Sequence, residues 1–72
     1  MTWATMTSEQ RRITVHAMER YGGGFVARLG EAWQRADADS AARLGAAFPD
    51  LLLRYGPGSD AYLGATRIEA AP

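Results

Sequence analysis

Three consecutive glycines, Gly22-Gly23-Gly24, stand directly before an apolar segment with helical spacing, and such a loop could bind an anion. Backbone N–H groups at a helix N-terminus, with Arg28 one turn further on, could hold a phosphate group. The loop lacks the lysine and the hydroxyl residue of a P-loop, and the residues before it do not have the pattern of a strand. We therefore interpret the glycines as a tight connection between two helices.

His16 is the single histidine of the chain and the side chain best suited to general-base catalysis. It is predicted on the polar side of a helix near Arg12 and Glu19, where a histidine is usually solvated. Base catalysis would need a nucleophile beside the imidazole; the chain has no cysteine, and Ser8 and Ser40 lack a flanking motif. One histidine holds a metal ion only with several carboxylates beside it. We expect neither an enzyme nor a metal or cofactor site.

Phe25 and Trp33 could offer a stacking platform for nucleic-acid bases. They share one helical arc with Leu29, and that arc is the one expected to face the interior. We therefore predict that both aromatic side chains belong to the core.

Charged residues at helical spacing are the best candidates for an interaction surface. Arg28, Glu31 and Arg35 form a stripe on one predicted helix, although such stripes are usually solvated helix faces. Trp3, Tyr62 and Leu53 lie outside the predicted core arcs. Exposed aromatic side chains such as those of Trp3 and Tyr62 can anchor an interface. The candidate partner-binding residues are Arg28, Glu31, Arg35, Arg43, Arg54, Trp3 and Tyr62.

Composition limits the kinds of partner. The formal net charge is zero, which disfavours both a strongly basic nucleic-acid module and an acidic mimic of DNA. The N-terminus lacks the basic and apolar regions of a signal peptide, and no stretch approaches the ~20 apolar residues of a membrane span. We expect a cytoplasmic protein that binds another protein.

The length of 72 residues sets a limit of one domain. A chain this short buries only about 60% of its unfolded surface, so its stability should be marginal and a homodimer stays open. Hydrophobic residues make up 47% and charged residues 22% of the chain, which is typical of globular proteins.

The first helix is predicted over residues 8–21, because Thr7 and Gln10 have the spacing of a capping box. Val15 is expected to point away from the interior. Gly22 suits the left-handed position that ends a helix. The residues predicted to face the core are Ile13, Ala17, Met18 and Tyr21.

The second helix, about residues 25–36, has the clearest amphipathic pattern, with an ion pair expected between Glu31 and Arg35. Asp37 is the predicted N-cap of a third helix over residues 38–47. Pro49 disfavours helical geometry at the residue before it and predicts a corner, then a short fourth helix over residues 49–55. A single kinked helix through Pro49 is the alternative.

The expected fold is an all-α bundle of three to four short helices. Residues 1–6 form an arm that folds back over the core or stays loose, residues 7–55 the helical domain, and residues 56–72 a poorly defined tail. Within the tail, a helical turn capped by Ser59 and an extended strand are both open. The predicted core consists of Phe25, Leu29, Trp33, Leu44, Phe48, Leu51 and Leu52.

A set of separated motifs resembles a family of very short proteins encoded by phages and prophages. The motifs are Tyr21-Gly22-Gly23-x-Phe25, Ala32-Trp33, Ala36-Asp37, Ala47-Phe48-Pro49-x-Leu51 and Tyr55. They cover about half of the chain. The sequence departs from the family pattern at Ser40, where asparagine is expected, and in its long C-terminal tail. The resemblance implies a viral or prophage setting, no catalysis and no assigned function.

The expected function is therefore protein binding: a non-enzymatic phage-type protein that binds a host protein complex and inhibits a bacterial defence system, an anti-CRISPR-like role. One alternative is a nucleic-acid-binding regulator that uses the second and third helices as a helix-turn-helix. Ala41, Ala42, Arg43 and Ala46 would then face the bases, and they are a poor set for reading them. A phage structural or assembly component, recognisable by self-association, is the other alternative.

Overall fold

The helix-start signals of the sequence lie where helices begin in the computed structural model, which describes residues 2–70. The elements are a 3₁₀ turn, Trp3–Thr5, and the helices α1, Ser8–Tyr21, α2, Gly23–Arg35, α3, Ala38–Ala47, α4, Leu51–Tyr55, and α5, Asp60–Ala70. The all-α class is confirmed; the described part of the chain holds five α-helices instead of three to four. Residue 1 of the predicted arm and residues 71–72 of the predicted tail lie outside the described range. No helix among residues 2–70 is long and apolar enough to cross a membrane.

Capping side chains define the starts of α1, α3 and α5. The Thr7 hydroxyl accepts from the Gln10 backbone N–H at 3.1 Å, and the Gln10 side chain accepts from the Thr7 N–H at 2.9 Å. Asp37 accepts from the Ser40 N–H at 2.8 Å. Ser59 accepts from the Tyr62 N–H at 3.1 Å, which settles the tail in favour of a helix. Each cap contributes about 0.5–2 kcal/mol.

The triglycine connects α1 to α2, as predicted, but its left-handed residue is Gly23 and not Gly22. Gly23 has φ +78°, while Gly22 has φ −93° and donates its N–H to the Met18 carbonyl at 2.9 Å. Position 22 requires a glycine, because a Cβ there would collide with the side chain of Val26. The turn is thus tighter than predicted, and α2 begins two residues earlier.

Pro49 makes a corner and does not lie within a kinked helix. Helix α3 ends at Ala47, Phe48 has φ −129° and ψ 65°, and α4 begins only at Leu51. The proline removes a backbone donor and disfavours helical geometry at Phe48, so the chain changes direction there.

Helix α1 is the central element, with α2 packed on one side and α5 on the other. Val15 therefore lies in the core beside Trp33, contrary to the prediction that it points outward. Ile13 and Ala17 form a second buried cluster with Ala65 of α5. The prediction for Tyr21 is also wrong, because its side chain at the end of α1 is 48% exposed. A helix buried on two sides has no single core arc, and this explains both errors.

The main core surrounds Trp33, which is fully buried and donates its Nε1–H to the Ala41 carbonyl at 3.2 Å. Trp3 stacks on it with ring centroids 5.9 Å apart and is itself only 7% exposed. The N-terminal arm therefore folds back, and the prediction that Trp3 lies outside the core is wrong.

The predicted core residues are buried to different extents. Trp33 and Leu51 are buried, and the half-buried residues packed against this cluster are Leu29, Leu44, Phe48 and Leu52. The prediction for Phe25 is wrong, because it is 67% exposed in the first turn of α2. Its ring forms an edge-to-face pair with the Phe48 ring, with centroids 6.0 Å apart.

Candidate partner-binding surface

An open apolar groove of about 830 Å³ lies between the 3₁₀ turn, α3 and α4. Trp3 and Met6, whose other atoms pack into the core, contribute to its lining. Three separate segments of sequence enclose the groove.

Small side chains of α3 form one wall of the groove. The i, i+3 and i, i+4 spacing of a helix brings them to one face. Ala41 is buried at the base of this face, and a Cβ placed on Gly45 would meet no atom within 4 Å. The groove therefore approaches the α3 backbone closely. The α3 residues of the wall are Ala38, Ala41, Ala42, Gly45 and Ala46.

Leu53 of α4 stands on the opposite wall and is 81% exposed. Its neighbours Leu51 and Leu52 turn toward the core, so the short helix leaves one leucine in solvent. Its predicted position outside the core is confirmed. A large apolar side chain beside an apolar groove is typical of a binding surface.

The groove has two charged lining residues, Arg11 and Asp37, and both are engaged within the molecule. The Arg11 Nε donates to the Trp3 carbonyl at 3.0 Å, and its guanidinium lies 5.4 Å from the centre of the Trp3 ring. Hydrogen bonds from the backbone and side chain of Ser40 lower the pKa of Asp37, which caps α3. The free surface of the groove is therefore mainly apolar.

The predicted charged stripe lies on α2, away from this groove. Arg28 pairs with Glu31 at 3.3 Å, and no Glu31–Arg35 pair forms among the described residues, so that prediction is wrong. The Arg28 and Glu31 side chains are largely exposed, and such pairs contribute at most about 1 kcal/mol. Arg35 and Arg43 line one shallow hollow between α2 and α3 and are thus brought together.

The other candidate residues lie on different elements. Arg43 pairs with Asp39 at 3.1 Å on α3, and Arg54 pairs with Asp50 at 3.9 Å beside α4. Tyr62 is half-buried against the cluster between α1 and α5, and this burial raises the pKa of its hydroxyl. The predicted partner-binding set therefore does not form one continuous surface.

Glu69 joins the C-terminal helix to α1 through a charged cluster that the sequence analysis missed. Its Oε1 lies 2.6 Å from Arg12 Nη2, and its Oε2 lies 2.6 Å from His16 Nδ1. Arg12 also pairs with Glu9 at 2.5 Å. The hydrogen bond from Arg12, followed by that from His16, lowers the pKa of Glu69, and Glu69 in turn raises the pKa of Arg12. The sequence indicated this contact only through Ser59, the possible cap of a helical turn in the tail.

His16 is consequently half-buried and not simply solvated, as was predicted. A histidine held by a carboxylate through one ring nitrogen, as His16 is by Glu69, is one half of an acid–base arrangement. The open polar pocket of about 650 Å³ around it has no hydroxyl or thiol among its lining residues. The absence of catalysis stays a prediction.

The geometry of α3 does not favour the helix-turn-helix alternative. Ala41, one of the four residues that would read bases, is buried, and Arg43 is paired with Asp39. The exposed side of α3 along the groove carries alanine and glycine, which cannot donate side-chain hydrogen bonds to base edges.

Comparisons of the chain with protein-family models, curated proteins and solved structures find no match. The resemblance to short phage proteins therefore stays a prediction from sequence motifs.

Proposed function

We propose that the chain is a non-enzymatic protein-binding protein whose groove takes an apolar segment of a partner. One observation carries this proposal: Leu53 is 81% exposed on the wall of an apolar groove of about 830 Å³. Covering a leucine side chain contributes about 1.5–3 kcal/mol, enough to make Leu53 a central binding residue.

The chemistry of the groove favours a protein over a small polar ligand or a nucleic acid. Arg11 and Asp37, its charged lining residues, are already engaged, so they are not available to orient a polar ligand. Nucleic acids are bound largely through phosphate contacts to basic side chains, whereas this chain has no net charge. An apolar stretch of a partner protein matches the lining best.

The resemblance to phage and prophage proteins supports a more specific proposal. The partner is a protein complex of the bacterial host, and binding inhibits a defence system in the host cytoplasm, in the manner of an anti-CRISPR protein. Small size and the apolar groove are compatible with blocking a surface of a larger complex.

The test measures phage plating on a host with an active CRISPR–Cas system, with and without expression of the chain. The chain should raise plating efficiency on that host and leave it unchanged on a host without the CRISPR–Cas system. Leu53→Asp should remove this effect. Leu63→Asp is the matched control, because Leu63 is 46% exposed on α5 and does not line the groove.

Unchanged plating with the parent chain would contradict the role in defence inhibition. Equal activity of the parent and Leu53→Asp would contradict the groove as the binding site. A hydrolytic or transferase activity that disappears in His16→Ala would overturn the non-enzymatic assignment.

A further inference from the structure

We infer that the hollow between α2 and α3 is a second docking surface, which takes an acidic segment of a protein with an apolar side chain among its carboxylates. The hollow has a volume of about 490 Å³. It shares one lining residue, Ala36, with the groove, and Leu53 does not line it. The inference therefore concerns a different surface and a different chemistry from the proposed function.

The charged residues that line the hollow are both basic, and this observation carries the inference. They are Arg35 and Arg43, and no carboxylate residue lines the hollow beside them. Arg35 also borders the polar pocket around His16, but it forms no ion pair among residues 2–70. In a chain without net charge, two arginines beside one hollow give a local positive potential that is complementary to carboxylates.

The existing ion pair of Arg43 leaves room for a partner's carboxylate. Asp39 lies 3.1 Å from the Nε atom of Arg43, and both side chains are largely exposed. Such surface pairs contribute little to stability, because water competes for both charges. A guanidinium group has further N–H donors on its two Nη atoms, and these can bind a second carboxylate. With Asp39 counted against Arg43, the charge of Arg35 is still uncompensated at the hollow.

The rest of the hollow is mainly apolar, so a purely polar anion would leave most of it uncovered. Leu44 is half-buried at its base, and Ala32 and Ala47 are exposed on its two sides. Covering apolar surface contributes to binding in proportion to its area. The lining therefore matches carboxylates combined with an apolar side chain, which is the composition of an acidic protein segment.

An exposed aromatic ring extends this surface along α2 and α3. The two helices meet at one end in the corner at Asp37, and at the other end Phe25 pairs with Phe48, with ring centroids 6.0 Å apart. Phe25 is 67% exposed, and such aromatic residues are typical binding anchors. Phe25 and Arg35 are ten positions apart, about 15 Å along a helix, which about five extended residues would span.

The test is an NMR titration of the isotope-labelled chain with a short peptide, acetyl-Glu-Glu-Leu-Leu-Glu-Glu-amide. Backbone amide shifts should change around the hollow, at Arg35, Ser40 and Arg43, with a Kd of about 0.5 mM or tighter at low salt. The matched peptide carries glutamine in place of every glutamate and should bind about tenfold more weakly or less. Raising the salt concentration from about 20 mM to about 300 mM should weaken binding of the acidic peptide.

Charge reversal in the chain tests the same contact from the other side. Arg35→Glu should weaken binding of the acidic peptide by about tenfold or more. Arg67→Glu makes the same change of charge at an exposed α5 residue outside both surfaces, and it should alter the Kd by less than about twofold. Phe25→Ser should weaken binding by about threefold or more, whereas Leu53→Asp should leave peptide shifts around the hollow in place. Circular dichroism checks that each variant is folded.

Three results would each overturn the inference: no shift changes up to about 2 mM acidic peptide, equal binding of the acidic and glutamine peptides, or equal losses in Arg35→Glu and Arg67→Glu. A DNA duplex that binds at Arg35 and Arg43 more tightly than the peptide would overturn the choice of a protein segment.

The two proposals fail separately. Peptide binding that requires Arg35, in a chain without effect on phage plating, refutes only defence inhibition. A Leu53-dependent effect on plating, in a chain that does not bind the acidic peptide, refutes only the second docking surface.

Discussion

At the scale of single residues, the stability of this small molecule depends strongly on the buried side chain of Trp33. Trp33 has no exposed surface, and its Nε1–H satisfies a hydrogen bond to the Ala41 carbonyl at 3.2 Å. Its position on α2 was predictable, because the apolar residues around it recur at helical spacing. Its stacking partner Trp3 was not, because residues 1–6 have no periodic pattern and the contact spans 30 positions of sequence.

Substitution of Trp33 tests how much this side chain contributes to the free energy of unfolding. We expect Trp33→Ala to lower the free energy of unfolding by about 3–5 kcal/mol, because it leaves a cavity in the centre of the core. Trp33→Phe should cost less, since a phenyl ring still fills part of the space, although the Nε1–H bond and some packing are lost. Urea unfolding followed by far-UV circular dichroism measures both. A Trp33→Ala chain as stable as the parent would contradict the assigned core.

Gly45 and Gly22 should respond oppositely to alanine. At Gly45, in the last turns of α3, an added Cβ meets nothing within 4 Å, so Gly45→Ala should raise the free energy of unfolding by about 0.5–1 kcal/mol. At Gly22 the added Cβ would collide with Val26, so Gly22→Ala should lower it by about 1–3 kcal/mol. Thermal unfolding of the two variants beside the parent tests this. A change of the same sign at both positions would contradict the packing described around these two glycines.

At the scale of elements, local signals predicted helix bounds better than helix faces. The caps Thr7 and Asp37 fix the starts of α1 and α3 through hydrogen bonds to residues three positions further on. Residue types at so short a spacing can be recognised directly in the sequence. Which sides of α1 are buried depends on how α2, α5 and the N-terminal turn pack against it, and no local pattern within α1 specifies that packing. Val15 and Tyr21 were therefore misassigned although the bounds of their helix were right.

The attachment of α5 to α1 should depend on pH. The pKa of Glu69 is lowered from its ordinary value of 4.5, first by Arg12 and then by His16. A carboxyl group with a depressed folded-state pKa stabilises the native state above its unfolded pKa, and this contribution disappears as pH falls through the folded value. The neighbouring charges that face it are Arg12 and His16, with Glu9 on the far side of Arg12.

We therefore expect the parent to exceed Glu69→Gln in stability near neutral pH and the difference to shrink as pH falls below about 4. Urea midpoints across this range provide the measurement. Asp37, whose pKa is also lowered, is present in both proteins and so serves as an internal constant. A difference that stays constant down to about pH 2 would show that Glu69 acts through packing and not through its charge.

At the scale of the whole molecule, the candidate site depends on segments that the sequence gives no reason to bring together. The groove needs the N-terminal turn, α3 and α4 at once. Leu53 was identified from the sequence as a residue outside the core, because α4 directs its neighbours inward. The groove beside Leu53 could not be predicted, since small residues such as Ala42 and Gly45 give no signal of what lies opposite them.

The N-terminal turn links stability to binding, and Trp3 is the residue that tests this link. Its ring stacks on Trp33, the residue also lines the groove, and the Arg11 guanidinium lies 5.4 Å from the ring centre. Trp3→Ala should lower the free energy of unfolding by about 3–5 kcal/mol, a large part of the 5–15 kcal/mol typical of a whole domain. Urea unfolding measures this loss.

Trp3→Phe is the matched control, because a phenyl ring keeps the stacking on Trp33 and most of the groove lining. We expect it to retain most of the stability and the Leu53-dependent effect on phage plating, whereas Trp3→Ala should lose both. If Trp3→Ala were as stable as the parent, the arm would contribute nothing to the core. If it were destabilised but fully active at a temperature where it remains folded, the groove beside Trp3 would not be the binding surface.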